Sequence, residues 1–139
     1  MAYSQAFSQA VTIVVYISVK MNYENSSQYL ATRYIAEKLN IAIPTANKVL
    51  KSLIISGIII SKEGAKGGLM LAKSPESITL LDIFLAIEHK RPLFKEVNLI
   101  NMNSKEVEFY RNKINQSLVQ SENAMKKELS KITIKQLIS

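Results

Sequence analysis

Three of the four glycines of the chain lie within five residues, between Gly64 and Gly68, and apolar runs flank them closely. The run before them, residues 58–61, is rich in β-branched side chains, and residues 69–72 form the apolar run after them. Short runs of this kind predict β-strands, and glycine permits the positive φ angles of a tight turn. The stretch therefore predicts a β-hairpin with a glycine-rich tip.

The same glycines could instead form a phosphate-binding loop or a flexible linker. A phosphate-binding loop needs a lysine and then a serine or threonine that opens a helix, whereas the residues after Gly68 are typical of a strand. The dinucleotide-binding fingerprint is disfavoured for the same reason, and a linker is disfavoured because apolar runs adjoin the glycines. A hairpin tip remains, and Lys62, Lys66 and Lys73 place positive charge around it.

Two short helical patterns precede the hairpin. Residues 33–39 follow Thr32, which can cap a helix. Pro44 sits in the first turn of a second helix, where proline is best tolerated, and Gly57 ends that helix. Two short helices about four residues apart are typical of a helix-turn-helix. A helix-turn-helix followed at once by a β-hairpin predicts a winged helix.

Three longer patterns complete the chain. Residues 3–21 indicate a largely buried helix, and residues 74–88 combine a capping serine or threonine with helical periodicity. Residues 104–131 form a long helical pattern with a narrow apolar seam that suits pairing with another helix. The predicted fold is mainly α with a small β-hairpin wing (α+β). We expect residues 1–90 to form a winged helix-turn-helix domain, and residues 91–139 to form a linker and the long dimerisation helix, in one compact unit with the first.

Charge narrows the choice of partner. The chain has 139 residues and a net charge of +7, and 47% of its residues are hydrophobic, which is typical of a globular domain. A basic excess favours an anionic partner such as nucleic acid or an acidic membrane surface. Residues 44–73 contain five lysines and one glutamate and so carry +4 of the +7. These lysines do not lie on one strongly amphipathic helix, so a membrane partner is disfavoured.

The second helix of the pair has one apolar and one polar face. On a helical wheel, the residues that face the core are Ala46, Val49, Leu50 and Leu53. The opposite side carries Pro44, Asn47, Lys48 and Lys51, with Thr45 beside them. Such side chains can hydrogen-bond base edges or phosphates. A solvated face would explain this helix alone, but the lysines of the adjoining hairpin favour double-stranded DNA as the partner.

Several other classes of protein are disfavoured. The absence of cysteine excludes disulfides, thiolate metal sites and cysteine nucleophiles. The apolar run at residues 10–19 is about half of the length that spans a bilayer and lacks the flanks of a signal peptide, so we expect a cytoplasmic protein. No nucleophile–base pair is visible, so we do not expect an enzyme. His89 is the only histidine, and we expect a surface or packing role for it and no cofactor.

Residues 35–88 resemble the Rrf2 family of bacterial winged-helix regulators. The segments that carry the resemblance include Ile35-Ala36-Glu37, Lys48-Val49-Leu50, Gly64-Ala65-Lys66-Gly67-Gly68, Ile78-Thr79-Leu80 and Ala86-Ile87-Glu88. The long C-terminal helix is similar, less specifically, to the dimerisation helix of the family. The resemblance implies a homodimeric transcription factor, usually a repressor, that binds a roughly palindromic operator. Its recognition helix would enter the major groove and its wing the adjacent minor groove.

Candidate site residues follow from the charge pattern and the resemblance together. The candidate DNA-binding residues are Thr32, Thr45, Asn47, Lys48, Lys51, Lys62, Lys66 and Gly67. Of these, the resemblance implies base or backbone contacts by Thr45, Asn47 and Lys48 in the recognition helix, and by Lys66 and Gly67 in the wing. The candidate dimer interface consists of Val107, Tyr110, Ile114, Leu118 and Met125.

The chain departs from the family pattern in three places. An arginine that suits a narrow minor groove often precedes the first glycine of the wing, and here that residue is Glu63, so Lys62 or Lys66 would have to replace the contact. Ala42 and Pro44 replace polar residues at the start of the recognition helix, which indicates a different operator. Many members hold an iron–sulfur cluster with three cysteines, and this chain has none, which excludes cluster sensing in that form.

Two questions stay open at the level of sequence. The effector could be a small molecule or a protein, and the residues that could line a pocket for it, or could simply be core, are Leu93, Phe94, Val97 and Ile100. A second interpretation of the whole chain is a winged-helix protein-interaction module without specific DNA binding. Glu63 at the wing and the missing cysteines support that alternative.

Overall fold

A computed structural model describes residues 5–23, 29–88, 92–94 and 105–139. In those residues the chain forms six α-helices and one β-hairpin, which confirms the predicted mainly α architecture with a small wing. The helices are α1 (Ala6–Tyr23), α2 (Thr32–Leu39), α3 (Ile43–Ile55), α4 (Leu80–Glu88), α5 (Lys105–Leu129) and α6 (Ile134–Ile138). The strands are β1 (Ile59–Lys62) and β2 (Gly68–Leu71), and a 3₁₀ turn, Pro75–Ser77, precedes α4.

The first helix, α1, lies at the centre of the core. Its fully buried apolar residues are Ala10, Ile13, Val14 and Ile17, which share a face because they recur at helical spacing. This face packs against α3, α4, α6 and β2. Full burial of a valine or isoleucine side chain contributes about 1.5–3 kcal/mol, so α1 supplies a large part of the stabilisation of the winged helix. No helix in the described part of the chain has the length and apolar character needed to cross a bilayer.

The helices α2 and α3 form the predicted helix-turn-helix. The backbone of Ala31 is extended and occupies the N-cap position, so Thr32 is the first residue of α2 and the prediction that it caps the helix is wrong. Asn40 ends α2 in the left-handed conformation, with a φ of 54°. The N–H of Ile41 then donates to the carbonyl of Ala36 at 2.9 Å. These contacts reverse the chain before α3 begins.

The hairpin after α3 pairs with a third segment of the chain. Strands β1 and β2 are antiparallel, with Ile59 opposite Leu71. Leu30, which lies just before α2, exchanges two backbone hydrogen bonds of 2.9 and 2.7 Å with Leu69 of β2. The wing is therefore anchored to the start of the helix-turn-helix as well as to the end of α3.

A capping box opens the fourth helix. The N–H of Asp82 donates to the hydroxyl oxygen of Thr79 at 3.1 Å, and the N–H of Thr79 donates to the carboxylate of Asp82 at 3.0 Å. The predicted capping residue of this helix is therefore Thr79. The reciprocal pair satisfies two of the N–H groups that a helix start leaves unpaired, and it fixes the point at which α4 enters the core.

The end of the chain returns to the core of the winged helix. Thr133 and Gln136 form a capping box for α6, with hydrogen bonds of 2.9 and 3.2 Å. Ile134 is fully buried, and its N–H donates to the carbonyl of Ile78 at 2.9 Å. The predicted linker-and-helix region, residues 91–139, thus ends in a short helix that packs on α1.

The long helix α5 confirms the helical pattern at residues 104–131 and differs from the other helices in its burial. Of the residues described in α5, only Glu122 is buried. In the C-terminal half of the apolar seam, Leu118, Met125 and Leu129 are partly buried. In the N-terminal half, Val107, Tyr110 and Ile114 are 41%, 55% and 49% exposed. The seam therefore packs on its own chain at one end and lies on the surface at the other.

Candidate nucleic-acid interface

The outward side of α3 carries the polar residues that the sequence predicts for it. The inward residues Ala46, Val49, Leu50 and Leu53 are buried, as the helical wheel predicts. The residues Pro44, Thr45, Asn47, Lys48 and Lys51 are exposed. Residues three and four apart are neighbours on a helix surface, so Thr45, Lys48 and Lys51 form one row and Asn47 lies beside Lys51. We call these four polar residues the α3 face.

The start of α3 suits an anionic group. Ala42 holds the N-cap position and has no side-chain oxygen, and Pro44 lies in the first turn. The first N–H groups of a helix lack partners within it, and the helix dipole places partial positive charge there. The first turn contains no acidic residue that would compete for this charge. A phosphate oxygen is the kind of acceptor that binds at such an end.

The tip of the wing presents one lysine directly. The N–H of Gly67 donates to the carbonyl of Gly64 at 3.0 Å and closes the turn, in which Gly64 has a φ of 106°. Lys66 lies within this turn and is exposed. Lys62, at the end of β1, places its Nζ atom 5.8 Å from the centre of the Tyr29 ring. Lys62 therefore leans towards the segment before α2, whereas Lys66 belongs to the tip itself.

Two glycines at the end of the tip leave no room for a side chain. A Cβ atom at Gly67 would overlap the carbonyl of Lys62, and one at Gly68 would overlap the backbone of Leu30. Gly68 also has a φ of 144°, which favours glycine. The close approach of β2 to Leu30 therefore depends on Gly68, and Gly67 has a structural role in the turn in addition to its predicted contact with DNA.

Backbone hydrogen bonds join the wing to α3. Gly57 turns the chain at the end of α3 with a φ of 76°. The N–H of Ile58 donates to the carbonyl of Leu53 at 3.0 Å, and the N–H of Ala72 donates to the carbonyl of Ile58 at 2.9 Å. Together with the anchor at Leu30, these bonds fix the wing relative to both helices of the helix-turn-helix.

Two candidate positions differ from the rest. Thr32 is partly buried at the start of α2, so it is less accessible than the residues of the α3 face. Glu63 is exposed immediately after β1, between Lys62 and Gly64. Its carboxylate would be repelled by phosphates, so the positive charge of Lys66 has to outweigh it if the wing approaches DNA.

The remaining candidate residues lie on α5, beside α5, or outside the described part of the chain. Val107, Tyr110 and Ile114 form an exposed apolar row on α5, while Leu118 and Met125 are partly buried against their own chain. Phe94 lines a cavity beside α5, and the N–H of Leu93 donates to the carboxylate of Glu122. Val97, Ile100 and His89 lie outside the described residues.

Three structural features have no counterpart in the sequence predictions. The pairing of Leu30 with Leu69 joins residues far apart in the chain and leaves no local pattern. The burial of Glu122 is equally hidden, because a glutamate in a polar helix is usually solvated. The helix α6 was not predicted either, although the sequence contains a signal for it, since Thr133 and Gln136 match the spacing of a capping box.

A helix-turn-helix with a polar, basic second helix and a lysine-bearing wing defines the class of winged-helix transcriptional regulators. A family model, Rrf2, described as an iron-dependent transcriptional regulator, matches residues 3–139. The chain belongs to the Rrf2 family, which confirms the resemblance noted in the sequence.

Individual relatives agree with this assignment. YffB of Lactococcus lactis, named as an HTH-type transcriptional regulator, is 30% identical over 105 residues, which are 74% of this chain and 67% of that protein. CymR, the global cysteine regulator of B. subtilis, has a TM-score of 0.71 and 20% identity, over 99% of this chain and 96% of that chain. IscR of T. potens has a TM-score of 0.64 and 20% identity, over 99% and 86%. At this identity the structural similarity shows the shared fold alone.

The iron in the family description does not match the donor set of this chain. Iron–sulfur clusters are held mainly by cysteine thiolates, and the chain contains no cysteine. Among the residues that the structure describes, no group of three or more histidine, aspartate or glutamate side chains could hold a metal ion. The residues present therefore do not fit a thiolate-ligated cluster.

Proposed function

We propose that the protein is a homodimeric repressor that binds a palindromic operator in double-stranded DNA. The observation that carries the proposal is the connection between the α3 face and the wing, because backbone hydrogen bonds at Leu53, Ile58 and Leu30 hold the two elements together. Both elements expose lysine, at Lys48 and Lys66. Cationic and polar groups on two elements of fixed geometry suit simultaneous contacts with phosphates and base edges.

In the proposed complex, α3 lies in the major groove and the wing follows the adjacent minor groove. The major groove admits one α-helix, and asparagine and lysine there pair with adenine and guanine edges respectively. Asn47 and Lys48 are therefore the residues expected to read bases, with Thr45 beside them. Lys51 and the start of α3 are expected to contact phosphates, and Lys66 is expected to neutralise phosphate charge along the minor groove.

The proposed dimer buries the exposed part of α5. Val107, Tyr110 and Ile114 are each about half exposed and lie in one row, spaced by three and four residues. Burial of such apolar area contributes roughly 25 cal/mol per Å², and the same row on a second copy provides a complementary surface. Leu118 and Met125 continue the seam. A two-fold dimer would present two α3 helices to half-sites about 34 Å apart, one turn of DNA.

The proposed effect of operator binding is repression. It rests on the resemblance to the Rrf2 family, whose members are usually repressors, and on the expectation that a bound dimer blocks access to a promoter. Transcription in vitro from a template that carries the selected operator tests it. Repression predicts less transcript when the protein is added, and an increase would instead assign an activator.

Selection from a pool of random duplexes tests DNA recognition. The proposal predicts enrichment of an inverted repeat whose half-sites lie about one helical turn apart. Enrichment of an asymmetric site would contradict the two-fold dimer, and no enrichment at all would contradict sequence recognition. If duplex affinity is also insensitive to salt and a protein partner binds stoichiometrically, the protein-interaction module is the better assignment.

A further inference from the structure

The polar side of α3 ends in an apolar residue. Ile55 is the last residue of α3 and is 74% exposed, the largest fraction among the large apolar side chains that the structure describes. It lies seven residues after Lys48 and four after Lys51, so it shares their side of the helix. The next two residues, Ser56 and Gly57, are also exposed. The row that carries the two lysines therefore continues into an aliphatic side chain that is open to a partner.

Folding of the chain does not account for an isoleucine at this position. Because most of its surface is in water, the side chain of Ile55 gains little from burial. Isoleucine also favours a helix less than lysine or glutamine does. Single apolar residues are common on protein surfaces, but Ile55 belongs to the row of α3 that is proposed to face DNA. A contact with that partner is therefore the explanation that fits its place.

The chemistry of the major groove indicates what an aliphatic side chain can contact there. Base pairs present hydrogen-bond donors and acceptors in this groove, which isoleucine cannot pair, and thymine adds a 5-methyl group. We propose that Ile55 contacts the 5-methyl group of one thymine in each half-site of the operator. The inference rests on the proposed function, and it adds a residue that determines specificity to Asn47 and Lys48.

The spacing of residues on α3 predicts where this thymine lies. Seven residues of an α-helix rise about 10 Å along its axis, which is the length of about three base pairs of DNA. With α3 in the major groove, the thymine should therefore lie within about three base pairs of the base that Lys48 reads. It should lie on the side to which the C-terminus of α3 points.

Replacement of thymidine by deoxyuridine tests the contact, because deoxyuridine pairs in the same way and lacks only the methyl group. The operator obtained by selection is synthesised with deoxyuridine at one thymine position at a time, in both half-sites, and fluorescence anisotropy measures binding of the intact chain. At one position the affinity of the wild type should fall about fourfold for each half-site, which corresponds to the burial of one methyl-sized group. The loss for both half-sites together should be about fifteenfold.

Two variants assign the effect to Ile55. Ile55→Ala should bind the unmodified operator more weakly by at least the same factor, and deoxyuridine at that position should then change its affinity by less than about twofold, because the two partners are coupled. Leu137→Ala removes equally many atoms from an exposed position of α6, so it is the matched control and should respond to deoxyuridine as the wild type does. Selection repeated with Ile55→Ala should keep the bases read by Asn47 and Lys48 and lose the preference for thymine.

Two results would overturn the inference and leave the proposed function intact. The first is an operator in which no replacement of thymidine weakens binding within about three base pairs of the position where Lys48→Ala reduces discrimination. The second is a deoxyuridine effect of equal size in the wild type and in Ile55→Ala, which would mean that another residue contacts the methyl group. If selection yields no operator at all, the proposed function fails, and the inference fails with it.

Discussion

The middle of α3 and the apolar row of α5 are different kinds of exposed surface, although α3 also exposes Ile43, Ile54 and Ile55 near its ends. The helix α3 has 13 residues and buries four apolar side chains, whereas α5 has 25 residues, of which only Glu122 is buried among those described. From Thr45 to Lys51, the exposed residues of α3 are polar or basic. The exposed large apolar residues of α5 are Val107, Phe109, Tyr110, Ile114 and Val119.

The difference shows how one small fold presents two binding surfaces. Because most of the stability of a helix in a protein comes from packing, the buried inner face of α3 holds its outer face in place before any ligand arrives. Such a preorganised polar surface suits a polyanion of regular shape. The inward side of α5 is only partly buried, at Leu118, Met125 and Leu129, and its exposed apolar row suits a second protein surface that completes the packing.

The largest effect is expected at the inner face of α3. Leu53 is fully buried, so Leu53→Ala should lower the free energy of unfolding by about 2–5 kcal/mol through lost burial and a new cavity. Ile55 lies on the same helix and is 74% exposed, so Ile55→Ala, which removes equally many atoms, should change it by less than about 0.5 kcal/mol. Urea denaturation measures both. Similar losses would mean that the two sides of α3 are not distinguished by packing.

A charge on the exposed row of α5 should break the dimer. Ile114→Asp places a carboxylate in the proposed interface, and an unpaired buried charge costs about 3–5 kcal/mol. The dissociation constant of the dimer should rise more than about a hundredfold, as measured by sedimentation equilibrium. Gln116→Asp, also exposed on α5, is the charge-matched control and should leave it unchanged. A dimer that tolerates Ile114→Asp would place the interface elsewhere.

The anchor of the wing should depend on Gly68. Gly68→Ala introduces a Cβ atom that overlaps the backbone of Leu30 at a positive φ, and we expect a loss of about 2–3 kcal/mol in stability. Gly64→Ala has the positive φ but open space around it, so its loss should be about 1 kcal/mol. Thermal unfolding compares the two. Equal losses would show that the contact with Leu30 does not constrain the wing.

Base reading should be sensitive to Lys48. Lys48→Ala should weaken binding to the selected operator by about 1–3 kcal/mol and reduce discrimination at one base position. Lys127→Ala removes the same charge from an exposed position of α5 and should leave operator affinity nearly unchanged. Fluorescence anisotropy with operator and mismatched duplexes measures the difference. Identical behaviour of the two variants would remove Lys48 from the recognition surface.

Local sequence patterns predict two parts of the fold well, the buried face of α3 and the wing. The buried face of α3 follows from helical spacing, and the wing follows from glycines between two apolar runs, so both could be predicted with boundaries within one residue. The predicted N-cap of α2, Thr32, is one position too late, because the backbone of Ala31 is extended and α2 begins directly after it. Such boundary shifts are usual for helix ends.

Long-range pairing explains most of what the sequence leaves out. The bridge between Leu30 and Leu69 and the bridge between Thr79 and Thr133 join segments that share no motif. The burial of Glu122 is similar, since the N–H of Leu93, 29 residues earlier in the chain, donates to its carboxylate. Most of the residues predicted to contact DNA are exposed, namely those of the α3 face, Lys62 and Lys66, whereas Thr32 and Gly67 are partly buried.

The central claim is that the α3 face and the wing contact duplex phosphates together, and the salt dependence of operator binding tests it most directly. The logarithm of the binding constant should fall linearly and steeply with the logarithm of salt concentration, because phosphate contacts release counterions. Lys66→Ala should reduce the magnitude of this slope by about 2 in the dimer, about one contact for each wing. A wild-type slope near zero, or a slope that Lys66→Ala does not change, would contradict the claim.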